Sequence, residues 1–156
     1  MDKKNFLLFI VCFSLCFLAG IIASFPVSAN YIWYETLLIS NINPPSWIFG
    51  PIWGVLYLLM AISVWLVARK RKTRFYWLAL ILFTVQLILN VLWTYIFFGL
   101  MNPKAAYIEL LILDIFVLLT VTIFGKISRS AQWIMLPYVI WLGFATYLNW
   151  YVMYYN

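Results

Sequence analysis

Three residues with polar edges, Gln86, Asn90 and Trp93, repeat at intervals of four and three within a long apolar stretch. This spacing places them on one face of a helix. Uncharged amides in an apolar environment must find hydrogen-bond partners or line a polar cavity. Two interpretations follow. Either the amides bond to neighbouring helices and hold a bundle together, or Asn90 and Gln86 face a cavity and orient a ligand.

Two further stripes have spacings that could build the walls of such a cavity. One comprises Trp141, Ala145, Leu148 and Asn149, and the small Ala145 leaves room where a larger side chain would fill it. The other is aromatic and apolar, and such a stripe alone is more often packing than a binding wall. Its members are Phe49, Trp53, Leu56 and Met60.

The titratable residues do not form an ordinary catalytic site. Glu109 and Asp114 are five residues apart, about 140° around a helix, so they do not pair on one face. Asp114 lies mid-span and is a functional candidate by default, although a protonated acid bonded to a neighbouring helix or a second subunit is favoured. With no histidine and only Cys12 and Cys16, which we expect to pack as small apolar residues, no metal-site spacing exists. We expect no metal and no required cofactor.

The composition places these residues in a membrane. Of 156 residues, 67% are hydrophobic and 9% are charged, against about 25% charged in soluble domains. A membrane-spanning helix needs about 20 mostly apolar residues. The sequence therefore predicts an all-α polytopic membrane protein, a single domain over residues 1–156 containing a bundle of five transmembrane helices. The predicted spans are 5–25, 45–68, 75–98, 104–125 and 131–154.

The distribution of positive charge predicts the orientation. Nine of the ten Lys and Arg residues precede span one or lie between spans two and three or four and five, and only Lys104 lies on the other side. The positive-inside rule then predicts a cytoplasmic N-terminus and an external C-terminus, and helical spans favour the plasma (inner) membrane. The cations in 69–74 are too few for a nucleic-acid groove but suit anionic lipid headgroups. A cleaved signal peptide is the alternative for the N-terminus, but its apolar run exceeds the roughly 7–15 residues usual there.

Depth sorts the nine tryptophans into two groups. Six are explained by an aromatic belt at the membrane boundaries: Trp33, Trp47, Trp65, Trp77, Trp133 and Trp150. Trp53, Trp93 and Trp141 remain, and a rise of about 1.5 Å per residue puts them in the outer half of the bilayer or near its middle. The segment 43–53, with three prolines, predicts a shaped helix entrance, and the outer loop 27–43 is a candidate lid.

Three motifs, in order along the chain, resemble the translocator protein family (TspO/MBR, tryptophan-rich sensory proteins, or peripheral-type benzodiazepine receptors), and the chain is identified as a bacterial member. The first is Trp47-Ile48-Phe49-Gly50-Pro51-Ile52-Trp53 with Leu56-Tyr57. The second is Gln86-Leu87 with Asn90, Trp93 and Phe97-Phe98-Gly99. The third is Pro137-Tyr138, Trp141, Phe144-Ala145-Thr146 and Leu148-Asn149.

The resemblance implies a five-helix bundle, often a homodimer, that binds porphyrins such as protoporphyrin IX and isoquinoline carboxamide or benzodiazepine drugs. It implies a pocket among helices one, two, three and five, under the first loop. By position, Trp53, Asn90, Trp141 and Ala145 would line it, with Trp47, Gln86 and Asn149 close by. Phe49 and Trp93, on the same stripes, complete the predicted ligand-binding set.

Three functions remain open. The leading one is a ligand-binding membrane sensor. The second is light- and oxygen-dependent porphyrin degradation, for which the resemblance implicates Trp53 and Trp141 as catalytic residues. The third is a tetrapyrrole or small-molecule transporter, disfavoured because inverted repeats and a charged relay are absent. The family's cholesterol-recognition pattern needs a tyrosine and a terminal basic residue. The matching positions here are Trp150 and Tyr154, so the basic residue is missing and steroid transport is not expected.

Overall fold

A computed structural model describes residues 2–156, which fold entirely into helices and connecting loops. Five helices are long and apolar enough to cross a membrane. Their outward faces are covered with exposed aliphatic and aromatic side chains, which is the surface that a bundle surrounded by lipid requires. The helices are α1 (Lys3–Ala29), α2 (Tyr31–Glu35, a short connector), α3 (Ser46–Ala68), α4 (Tyr76–Thr94), α5 (Pro103–Ile127) and α6 (Arg129–Tyr155).

The start of α3 follows from its prolines. Pro44 and Pro45 lack an N–H group and precede the helix, where no ladder hydrogen bond is lost. Pro51 lies inside α3, close to its start, and the helix continues past it. Helix α1 likewise contains a proline, and it runs through Pro26 to Ala29. The expectation that a loop begins at residue 27 is therefore wrong, because residues 27–29 are helical and Tyr31–Glu35 add a further turn of helix.

The long helices form a closed ring. Helix α1 packs against α3 and α4, α3 packs against α6, and α6 and α4 both pack against α5. Because successive helices alternate in direction, the segment 36–45 between α2 and α3 lies at the same end as the C-termini of α1 and α6. We call this the loop end, and the opposite end, which carries Arg69 to Arg74, the cationic end.

The two halves of the ring differ in how they are filled. Toward the cationic end the interior is close-packed, with Met60, Phe124 and Met135 fully buried. Toward the loop end the helices diverge around a cavity. The final turn of α4 widens there into a π-helical segment, Tyr95–Gly99, a distortion that often accompanies a functional site. Met101 then turns the chain with a positive φ of 50°.

Candidate functional site

A cavity of about 400 Å³ lies inside the ring at the loop end. Its walls come from α1, α3, α4 and its π-helical extension, and α6, while α2 and Asn43 contribute at the mouth. Helix α5 supplies none of the lining residues. The volume falls in the range of roughly 300–1,000 Å³ that is typical of small-molecule sites.

Seven of the nine side chains predicted to bind ligand line this cavity. They are Phe49, Trp53, Asn90, Trp93, Trp141, Ala145 and Asn149. Three stripes that are far apart in the sequence therefore converge on one hollow, and the three tryptophans left over from the aromatic belt are all among them.

Two predicted residues lie elsewhere. Trp47 is 75% exposed, because a separation of six positions from Trp53 turns a helix by about 240° and directs Trp47 away from the cavity. Gln86 is 0% exposed and its Nε2 donates to Met60 Sδ at 3.8 Å. It lies one turn nearer the cationic end than Asn90, inside the packed half. Gln86 therefore does not line the cavity, contrary to expectation, but packs between helices.

The floor of the cavity is a hydrogen-bonded chain across three helices. Tyr57 Oη donates to Asn90 Oδ1 at 2.6 Å, and Asn90 Nδ2 donates to Tyr138 Oη at 3.1 Å. Both ends of the Asn90 amide thus have partners within the protein. Tyr57 fits here because Gly20 has no side chain: a Cβ at residue 20 would approach the Tyr57 ring to 2.8 Å. Asn90 therefore bonds to neighbouring helices, as the first interpretation expects, and also lines the cavity; that it orients a ligand stays a prediction.

The second amide of the site is also used by the protein. Trp93 Nε1 donates to Asn149 Oδ1 at 2.9 Å, and Asn149 Nδ2 donates to the carbonyl of Pro103 at 2.8 Å. These bonds join α4, α6 and the start of α5 at the loop end. Asn149 therefore fixes the orientation of the Trp93 ring, whose face lies against Phe97 at a centroid distance of 5.3 Å.

Aromatic rings make most of the wall. Phe49 and Trp141 meet edge to face at 5.9 Å, and Trp53 lies 5.8 Å from the Tyr57 ring. The indole Nε1 of Trp141 is buried and has no hydrogen-bond partner among the described residues. The cavity is consequently a flat-sided, mainly apolar space in which stacking and shape, rather than free amide groups, are available to a ligand.

The mouth is covered by α2 and the loop after it. The rings of Trp33 and Tyr34 pack on Phe98 at 6.5 and 5.6 Å. Tyr34 Oη donates to Asn43 Oδ1 at 3.2 Å, and burial raises the pKa of the Tyr34 phenol. Asn156 exchanges hydrogen bonds with the backbone of Leu38 at 2.9 and 3.2 Å, which ties this cover to the end of α6.

The carboxylates on α5 lie away from the cavity. Thr146 Oγ1 donates to Asp114 Oδ2 at 2.9 Å, a bond to the neighbouring helix of the kind favoured for Asp114. Glu109 is 6% exposed, and neither of its carboxyl oxygens has a partner within residues 2–156. In that part of the chain no three His, Cys, Asp or Glu side chains cluster so as to hold a metal ion. Cys12 and Cys16 are buried free thiols.

Several lining residues were not identified from the sequence. Tyr57 was noted only as part of a motif, and the α1 wall, which includes Phe17, Gly20 and Ala23, was missed as a set of residues. The signal for the α1 wall was present: the small residues Cys16, Gly20 and Ala23 recur at intervals of four and three and lie on the face of α1 that turns inward.

Comparison with known proteins gives a consistent result. A sequence model of the TspO/MBR family matches residues 11–155. The chain is 32% identical over 159 residues to the tryptophan-rich protein TspO of Chlorobaculum tepidum, covering 99% of each chain. It is 30% identical to the TspO protein of Bacillus cereus, covering 96% of this chain and 95% of that one. It is 35% identical to the human translocator protein over 119 residues, 75% of this chain and 70% of the human one.

Proposed function

Because the chain belongs to the TspO/MBR family, we propose that this integral membrane protein is a sensor that binds porphyrins, such as protoporphyrin IX, in its aromatic cavity. Isoquinoline carboxamide and benzodiazepine-type compounds would occupy the same space. One observation carries the proposal: Trp53, Trp93 and Trp141, from three different helices, line one hollow of about 400 Å³. Relatives are named tryptophan-rich sensory protein and translocator protein, which is consistent with a sensing or binding role.

Flat aromatic ligands suit this wall. Indole and phenyl faces stack on conjugated discs through offset or edge-to-face contacts. The amides of Asn90 and Asn149 already have protein partners, so a ligand gains its affinity mainly from stacking, shape and displaced water. The Trp141 indole N–H has no partner in the described chain. A small shift of the indole ring would let this N–H donate a hydrogen bond to a ligand.

The polar edge of a porphyrin would remain near the mouth. Protoporphyrin carries two carboxylates, whose burial in an apolar cavity without partners is costly. The mouth is where the hydroxyl-bearing lining residues Tyr31 and Ser46 lie. A porphyrin would therefore enter with its apolar edge toward Tyr57 and its carboxylates toward the loop end.

A titration tests the proposal. Protein in lipid nanodiscs should show saturable quenching of tryptophan fluorescence by protoporphyrin IX at one site per chain, and an isoquinoline carboxamide should reverse the quenching. Empty nanodiscs measure partitioning into lipid. Quenching that rises without saturation, or that the competitor leaves unchanged, would count against a shared cavity site.

The setting of the site is part of the same proposal. We propose that the cationic end lies in the cytoplasm and the loop end outside, on the basis of the nine-to-one distribution of Lys and Arg. Helical spans favour the plasma membrane, and the resemblance to the family implies a homodimer. Protease access to tags at the two termini in sealed vesicles tests the orientation, and chemical crosslinking in nanodiscs loaded at low density tests the dimer.

A second candidate function has one observation in its favour. Trp53 and Trp141, the residues implicated in light-dependent porphyrin degradation, both line the cavity, and Trp53 lies within 6.4 Å of the Tyr138 ring and 5.8 Å of the Tyr57 ring. Oxidisable side chains would thus surround a bound photosensitiser. No general acid/base pair borders the cavity in the described chain, so any degradation would depend on light and oxygen.

A further inference from the structure

A second groove, of about 430 Å³, opens at the cationic end between the first turns of α1 and the end of α3. Its rim carries Lys4, Arg69 and Arg71, and its apolar floor comprises Leu7, Leu8 and Val11. We call it the cationic groove. It is separate from the aromatic cavity, because the nearest lining residues of the two on α1, Val11 and Phe17, are roughly 9 Å apart at about 1.5 Å per residue of helix.

The packing of α1 against α3 gives the groove its shape. Trp65 Nε1 donates to the carbonyl of Asn5 at 3.0 Å, joining the two helices beneath the rim. The Arg69 guanidinium carbon lies 4.7 Å from the centroid of the Trp65 ring. Trp65 thus contacts the guanidinium of Arg69 and holds this one rim charge beside the opening.

The positive charge in the groove has little to balance it. The chain contains four acidic residues; Glu35 lies in α2 at the loop end and Glu109 and Asp114 lie in α5, which leaves Asp2 near the groove. The side chain of Asp2 does not cap α1. The N–H groups in the first turn of a helix have no intrahelical acceptor and favour an anion, so the start of α1 adds to the attraction of Lys4, Arg69 and Arg71.

Other cations at this end lie outside the groove and contact other parts of the protein. Lys70 Nζ donates to the carbonyl of Ile127 at 2.9 Å. Arg74 and Lys126 lie 5.6 and 4.9 Å from the centroid of the Phe75 ring. The cations at the rim of the groove are therefore distinguished from their neighbours by an adjoining cavity with an apolar floor.

We propose that the cationic groove binds an anionic phospholipid from the adjacent leaflet. The headgroup phosphate lies between Lys4, Arg69 and Arg71, and an acyl chain runs along Leu7, Leu8 and Val11. The floor favours a lipid over a soluble phosphate, because it is formed by Leu7, Leu8 and Val11, and Leu7, at 65% exposed, presents an apolar surface that an acyl chain would cover. The excess of cations favours an anionic headgroup over phosphocholine, whose quaternary ammonium would be repelled. Basic pockets between membrane helices on the cytoplasmic side bind anionic headgroups in this manner.

Native mass spectrometry of the detergent-solubilised protein tests the proposal. Phosphatidylglycerol and phosphatidylcholine with identical acyl chains are added in equal amounts, and the lipid-bound fraction is measured. The wild type should retain phosphatidylglycerol at least about fivefold better. The triple variant Lys4→Gln, Arg69→Gln, Arg71→Gln should lose this retention by about tenfold, since each cation near an anionic headgroup contributes measurably.

A matched triple variant separates the groove from general charge. Lys72→Gln, Arg74→Gln, Arg129→Gln removes the same charge from the same end outside the groove and should keep lipid retention within about twofold of the wild type. Val11→Trp leaves all cations in place but fills the floor, and it should also lower retention. Thermal unfolding of each variant controls for folding.

Three results would overturn the proposal. Equal retention of the two lipids by the wild type would remove headgroup selectivity. An equal loss in both triple variants would show a diffuse charge effect. Displacement of the lipid by an equimolar amount of glycerol 1-phosphate would identify a soluble phosphate as the ligand.

Discussion

Tyr57 on α3 and Asn90 on α4 are joined by a 2.6 Å hydrogen bond that forms the floor of the aromatic cavity. The same amide reaches Tyr138 on α6, so one polar side chain connects the helices that carry Trp53, Trp93 and Trp141. The polar residue of the motif and the indoles around it therefore have distinct tasks. The amide holds the walls at a fixed separation, and the rings supply the surface.

Removing the Tyr57 hydroxyl should loosen the floor. We expect Tyr57→Phe to lower the free energy of unfolding by about 1 kcal/mol, because hydrogen bonds between membrane helices contribute roughly 0.6–1.7 kcal/mol. Thermal or denaturant unfolding in detergent measures the change. Tyr154→Phe, at an exposed tyrosine, is the matched control; an equal loss in the two variants would contradict a specific role for the Tyr57–Asn90 bond.

Filling the space beside Ala145 should exclude ligands. Ala145 lines the cavity, and we expect Ala145→Leu to weaken protoporphyrin IX binding by at least about tenfold, which corresponds to a steric cost of about 1.4 kcal/mol. Fluorescence titration in nanodiscs gives the affinity. Gly143→Leu adds a larger side chain on the same helix, where a Cβ meets open space, and its affinity should equal that of the wild type. Wild-type affinity in Ala145→Leu would show that this wall is misplaced.

Gln86 provides a test in which the structure and the sequence motif disagree. The motif groups Gln86 with the site, but the structure buries it beside Met60, and its Oε1 has no partner within residues 2–156. We expect Gln86→Leu to change ligand affinity by less than about twofold and to leave stability equal or improved, because it removes a buried, unpaired polar oxygen. Trp53→Leu, measured in the same titration, should lose binding. If Gln86→Leu lowered ligand affinity as much as Trp53→Leu does, Gln86 would have to be counted among the ligand-binding residues.

The contributions of the Trp93 ring and of its N–H group to stability can be measured separately. Trp93→Phe keeps an aromatic face against Phe97 but removes the donor to Asn149. We expect stability to fall by about 1–3 kcal/mol, since Asn149 Oδ1 would be left without this donor in a buried site. Trp77→Phe, at an exposed indole of the aromatic belt, should cost much less. Unfolding midpoints of the two variants, compared in the same detergent, decide whether the N–H group matters.

The sequence indicated the membrane fold because apolar length and composition determine it directly. Spacing within each span also indicated the faces that carry Trp53, Trp93 and Trp141, while the resemblance to the family implied that these faces share one pocket. It did not reveal the partners of the amides, because hydrogen bonds such as Tyr57 to Asn90 join residues 33 positions apart. Nor could periodicity exclude Gln86 from the site, because Gln86 shares a helical face with Asn90. It lies one turn nearer the cationic end, where the helices pack closely and the aromatic cavity has ended. The face of a helix can be predicted from spacing, whereas the depth at which a cavity ends depends on the packing of its neighbours.

Illumination of the porphyrin complex distinguishes a sensor from a photo-oxidative enzyme. If Trp53 and Trp141 take part in degradation, the absorbance of bound protoporphyrin IX should decay under light and oxygen several-fold faster with the wild type than with Trp53→Phe or Trp141→Phe. Each phenylalanine keeps an aromatic face in the wall, so binding is expected to persist; the titration above establishes the bound fraction, and rates are compared at equal occupancy. With Trp77→Phe, the porphyrin absorbance should decay as fast as with the wild type, because the Trp77 indole is exposed and is not among the lining residues. Equal decay in all four proteins, or in empty nanodiscs, would leave ligand binding as the function of the cavity.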